Sequence, residues 1–189
     1  MHHRRPLLPA TAMTQIPRRR CLAALGAFAL ASVAPAARAE AGAPRVLRFE
    51  HLHTGEKLCV EYFAAGGYLP DALGAVNHLL RDFRTGDVGA IDAALLDQLH
   101  ELDRLTAGGR PFQVISGYRS PATNQMLRER SGGVASNSLH MRGQAIDIRL
   151  AGVPLATLHD AALALRAGGV GYYPASDFVH VDTGRVRAW

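Results

Sequence analysis

Two apolar-alternating runs, Arg45-Val46-Leu47-Arg48-Phe49 and Leu58-Cys59-Val60-Glu61-Tyr62-Phe63, flank the turn residues His53-Thr54-Gly55-Glu56. That alternation predicts a β-hairpin over residues 45–63. After Gly66-Gly67 the period changes. Leu69-Pro70-Asp71 opens a helix carrying Leu73, Val76, Leu79, Leu80 and Phe83 at helical spacing, and a second runs from about Ala90 to Leu105 with Ile91, Leu95, Leu99 and Leu102 inward. Pro111–Ser116 reads as a strand, and Pro121 suits the first position of a helix reaching about Arg130. Ser131-Gly132-Gly133 through Asn137 reads as a polar, mobile rim loop. A strand over Gln144–Leu150, a helix over Leu155–Arg166 and a last strand over Phe178–Asp182 complete the pattern, with Gly168–Tyr173 leading into that last strand. Helices come mainly early and strands late, which implies an α+β fold, one domain with helices on one face of a mostly antiparallel sheet.

The first 39 residues follow a different pattern. Arg18-Arg19-Arg20 precede an apolar run from Leu22 to Val33 and then Ala37-Arg38-Ala39. This is the layout of an export signal, with paired arginines of the twin-arginine type and an ordinary Sec signal as the alternative. The run is shorter than the ~20 apolar residues of a membrane-spanning helix. The expected exported domain is therefore 40–189, with a periplasmic location and no stable membrane anchor.

Removal of that segment changes the charge. The chain holds 21 basic and 16 acidic residues, but six of the arginines and none of the acids lie in 1–39. What remains is nearly neutral, so the pI of 9.8 gives no support for a nucleic-acid surface. Cys59 is then the only cysteine, which excludes an internal disulfide and a thiolate metal site; between Leu58 and Val60 it reads as a small buried residue. His51 and His53 share a strand face but have no carboxylate beside them, and read as solvent-facing.

The candidate chemistry lies in the second half. His140 is followed seven residues later by Asp147, on a strand where Ala145, Asp147 and Arg149 share one face and Ile146, Ile148 and Leu150 the other. His180 sits between Val179 and Val181. Two imidazoles and a carboxylate are three ligands for a zinc ion with its fourth position open, the arrangement of a catalytic site. The rival reading pairs Asp147 with Arg149 or Arg119.

Three motifs decide between these readings. Ser116-Gly-Tyr-Arg-Ser120, Ser138-x-His-x-x-Gly-x-Ala-x-Asp147 and His180-Val-Asp-Thr-Gly184 resemble the LAS-type zinc peptidases grouped with D-Ala-D-Ala carboxypeptidase and VanX, which share a fold with the Hedgehog domain. Gly168-Gly-Val-Gly-Tyr-Tyr-Pro174 and Trp189 make the chain more similar to the YcbK (MepK) murein endopeptidase branch. The resemblance implies one zinc on His140, Asp147 and His180, and hydrolysis of peptide cross-links in peptidoglycan. It also implies a transition-state role for Arg119, and substrate or ligand orientation by Ser138 and Tyr118. The general base matches Asp177, where VanX-like members have glutamate. Asp182 competes for that role or holds a ligand imidazole, and Tyr172 and Tyr173 are candidates for the cleft wall. Two alternatives stay open: a non-catalytic wall-binding module, and a hydrolase of free D-Ala-D-Ala.

Overall fold

The computed structural model describes residues 42–106, 108–131 and 134–189; the expected export segment lies outside the described residues, as do Gly132 and Gly133 of the expected rim loop. Strands β1 (Arg45–His51) and β2 (Lys57–Ala64) form the expected hairpin, extended by the short β3 (Gly67–Tyr68). Helices α1 (Pro70–Leu79) and α2 (Ala93–Leu105) lead to β4 (Phe112–Ser116), and α3 (Pro121–Ser131) leads to β5 (Ala145–Leu150). Helix α4 (Leu155–Leu165), β6 (Gly169–Tyr173), β7 (Phe178–Asp182) and β8 (Arg187–Ala188) follow. The sheet order is β3-β2-β1-β4-β5-β7-β6-β8, antiparallel except at β1/β4 and β6/β8.

One sheet face is apolar. Leu47, Phe49, Phe112, Val114, Ile146, Ile148, Val179 and Val181 pack with Val76 and Leu79 of α1, Leu95, Leu99 and Leu102 of α2, and Leu158 and Ala162 of α4. The period-two alternation therefore turns Arg48, Glu50, Gln113, Asp147, Arg149 and His180 to the opposite, uncovered face. The fold is α+β, with helices on one face of a mostly antiparallel sheet, as the pattern predicts. Among the described residues, no helix is long and apolar enough to cross a membrane.

Several local expectations change. Helix α1 stops at Leu79, and Phe83 lies in the following loop, where it stacks on His53 with centroids 4.1 Å apart. Helix α2 starts at Ala93 because Asp92 caps it, accepting from the Ala94 amide at 3.0 Å. Cys59 is exposed, since the hairpin register puts it beside Arg48 on the open face. Residues 169–173 are a full strand, joined to β7 by a 3₁₀ turn over Pro174–Ser176.

His51 is not solvent-facing but fully buried. Its Nδ1 accepts from the His53 amide at 3.3 Å, and its Nε2 has no partner among the described residues. Burial, then the neighbouring His53, pushes its pKa down to about 4; Arg81 adds to this and Glu56 opposes it. The unfolded imidazole, near 6.5, takes up its proton first, so stability is intact above about pH 6.5 and is lost as pH falls towards 4. The urea midpoint of the wild type should thus drop from pH 7.5 to pH 5, and His51→Gln should flatten that drop. Parallel losses in both proteins would contradict the assignment.

Candidate metal centre

The site begins with strand register. Asp147 on β5 and His180 on β7 are direct cross-strand partners, so both side chains stand on the open face. His140 arrives from outside the sheet on a 3₁₀ turn (Leu139–Arg142) capped by Ser138, whose hydroxyl accepts from the His140 amide at 3.4 Å. Gly143 ends that turn at φ 65°, and a Cβ there would lie 1.9 Å from the Ala90 carbonyl oxygen. Only glycine allows this turn to close against the loop before α2.

The three ligand atoms form a compact triangle. His180 Nδ1 is 2.8 Å from Asp147 Oδ1, His140 Nε2 is 3.3 Å from the same oxygen, and the two nitrogens are 3.2 Å apart. Ligand edges around a tetrahedral ion with bonds near 2.0–2.1 Å are about 3.3 Å. The other nitrogen of each ring is a donor. His140 Nδ1 donates to the Gly117 carbonyl at 2.7 Å, and His180 Nε2 donates to Asp182 Oδ2 at 3.1 Å. Each ring therefore turns its other nitrogen, His140 Nε2 and His180 Nδ1, towards Asp147 Oδ1. Two imidazole nitrogens and a carboxylate oxygen thus lie within 4.8 Å of one another, a donor set that could hold a metal ion.

Burial would raise the Asp147 pKa, but His140 and His180 hold it well below the usual carboxylate range. Burial would lower His180, yet Asp147 and Asp182 raise it to about 9. Asp182, fully buried, has no free oxygen: it also accepts from the Gly169 and Gly184 amides at 2.9 and 2.8 Å and from Arg187 at 2.7 Å. Burial pulls its pKa up, and bonds from His180, Arg187 and those amides bring it well below the usual range.

Arg119 completes the site. Its buried guanidinium has Nη2 3.5 Å from Asp147 Oδ2 and 3.4 Å from Ser116 Oγ, and its Nε has no partner among the described residues. The Arg119 amide donates to the His140 carbonyl at 3.2 Å, while the Ser120 amide donates to the buried Asp82 carboxylate at 2.9 Å. A cleft of about 690 Å³ lies against α3 and the His140 turn, lined by Pro121, Asn124, Gln125, Arg128, Glu129 and Met141 among others.

The family profile described as peptidoglycan L,D-endopeptidase MepK matches residues 39–189. The chain belongs to this family. It is 47% identical over 175 residues to the peptidoglycan L,D-endopeptidase MepK of Escherichia coli K12, covering 90% of this chain and 96% of that protein, and equally to the Shigella flexneri protein of that name. The probable peptidoglycan L,D-endopeptidase MepK of Haemophilus influenzae is 47% identical over 147 residues, 77% of this chain and 79% of its own length.

The structure brings His140, Asp147, His180, Asp182, Arg119 and Ser138 together. It sets others apart. Asp177 is an exposed residue with φ 54°, and its carboxylate is paired with Arg149. Tyr118 packs over Gly89, where a Cβ would lie 2.2 Å from its ring. Tyr172 opposes the core residue Val179 and stacks near His159 at 4.7 Å on the helix side, whereas Tyr173 opposes Phe178 on the face of His180. Sequence reasoning missed Gly117 and Arg187, which orient the ligands, and Asp82, which anchors the Arg119 turn. Their only signal was proximity to the motifs, since backbone carbonyls and surface-type arginines carry no pattern of their own.

Removing a ligand and removing its support should differ. His140→Ala should abolish stoichiometric binding of a divalent metal in equilibrium dialysis, while Asp182→Asn should keep the site but weaken it roughly 10–100-fold. A full equivalent retained by His140→Ala would refute the ligand set.

Proposed function

We propose that the chain is a zinc peptidase that hydrolyses peptide cross-links of bacterial peptidoglycan, of the L,D type that its relatives' names specify. The observation that carries this reading is the convergence of His140 Nε2, Asp147 Oδ1 and His180 Nδ1, with the other nitrogen of each ring donating to an oxygen of the protein. Two nitrogens and one oxygen, with no thiolate, suit a catalytic zinc more than a structural one. When bound, such an ion polarises a carbonyl and lowers the pKa of water towards ~7.

The chain's own residues do the rest. The Gly117 carbonyl and Asp182 keep the two imidazoles oriented, and Arg187 holds Asp182 in its charged form. Arg119 stands beside Asp147 with donors unspent, placed to receive the negative charge that develops on the substrate carbonyl oxygen. Ser138 fixes the His140 turn. Tyr173 and Trp189, joined by an indole N–H donated to the Tyr173 hydroxyl at 2.7 Å, wall the site beside His180. The open sheet face and the neighbouring cleft suit an extended, polymeric substrate better than a free dipeptide.

Peptidoglycan lies outside the cytoplasmic membrane, so this reading includes export and removal of residues 1–39. Digestion of purified sacculi by residues 40–189 with zinc, followed by mass spectrometry of the released muropeptides, tests it. L,D cross-links should disappear, and Arg119→Ala should lower kcat by about 10²–10³-fold with zinc retained. Binding to sacculi without release would instead identify a wall-binding module.

A further inference from the structure

The pairing of Asp177 with Arg149 has a consequence for substrate recognition. Arg149 stands two residues beyond Asp147 on the same face of β5. At ~3.3 Å per strand residue, its Cα is about 7 Å from that of the metal-ligand candidate. Its side chain is held at both ends: Nε donates to Gln113 Oε1 at 3.0 Å, and Nη1 is paired with Asp177 Oδ2. A guanidinium offers five N–H donors, so these contacts leave donors on the open face. Gln113 is itself steadied by Glu50, to which its Nε2 donates at 3.4 Å.

Asp177 is built differently. It sits on the turn between β6 and β7, outside the ligand triangle, with its side chain 61% exposed and its backbone in the left-handed region. An ion pair this exposed contributes little to stability, so it is readily exchanged for another carboxylate. An extended peptide advances at most about 3.3–3.6 Å per residue. A carboxylate one or two residues from an amide seated at the metal centre is therefore within reach of Arg149 when the peptide runs along β5.

We propose that Arg149 is the anchor for a substrate carboxylate near the scissile amide, and that Asp177 is an internal competitor occupying this anchor until substrate displaces it. The proposal rests on the peptidase reading. It names the substrate feature that the site selects: a free carboxylate on the stem peptide beside the cleaved bond. It also gives Asp177 a role opposite to that of a general base.

The test uses a soluble peptidoglycan stem peptide and its carboxamidated counterpart. Binding is measured by calorimetry on metal-free protein, and kcat and KM are measured separately on the zinc-loaded protein. Asparagine tolerates left-handed backbone, so Asp177→Asn removes the charge without disturbing the turn. It should bind the free-acid peptide about 5-fold more tightly and lower KM to match, with kcat retained. Arg149→Gln should weaken the free-acid peptide by about 10-fold or more and leave the carboxamide unaffected. A merely structural arginine would weaken both peptides alike, which would overturn the proposal. So would Asp177→Asn with full zinc content, unchanged KM and kcat reduced 10²-fold or more, the signature of a general base. A wild type that releases nothing from sacculi defeats the peptidase reading, while the metal-free binding arm judges the anchor separately.

Discussion

The whole site depends on the pairing of β5 with β7. Asp147 and His180 meet only because Ile146↔Val181 and Ile148↔Val179 on either side are locked into the core. A slip of either strand by one residue would turn its ligand into the helix layer and its apolar residues to the open face, so hydrophobic burial enforces the register of the polar face. On the other side of β7, the pairing with β6 sets Tyr173 opposite Phe178. A polar cluster with distances near 3 Å is thus specified by the burial of apolar residues on the opposite face.

The second constraint is the satisfaction of buried polar groups. Asp182 would be costly where it lies without the amides of Gly169 and Gly184, the Arg187 guanidinium and the His180 N–H. Gly168 is required at this point, since a Cβ there would come within 1.7 Å of the Asp182 carbonyl oxygen. The network ties β6, β7 and β8 together and delivers a fixed imidazole to the metal position. Structural integrity and ligand orientation are the same set of bonds here.

Much of this was legible in the chain. Alternation over 145–150 and 178–182 separated Asp147 and His180 from their apolar neighbours, and the three motifs carried the rest of the ligand set and Arg119. The helix layer followed from the leucine spacing. What was hidden depended on partners distant in sequence. The strand over 169–173 was obscured by glycines with low β propensity, which are there because Arg187 and Trp189 approach the backbone closely. His51 looked like a hairpin-end residue until Phe83 folded over it, and Cys59 was misread although the period-two rule puts it opposite Leu58 and Val60. The Arg149–Asp177 pair joins residues 28 positions apart and has no local signature.

The central claim is that His140, Asp147 and His180 hold one zinc ion through two imidazole nitrogens and one carboxylate oxygen. X-ray absorption at the zinc edge of the purified protein tests it most directly. The account predicts one zinc per chain with only nitrogen and oxygen neighbours at about 2.0–2.2 Å and the scattering signature of two imidazoles. A sulfur shell near 2.3 Å, a single imidazole, or no stoichiometric zinc would contradict it.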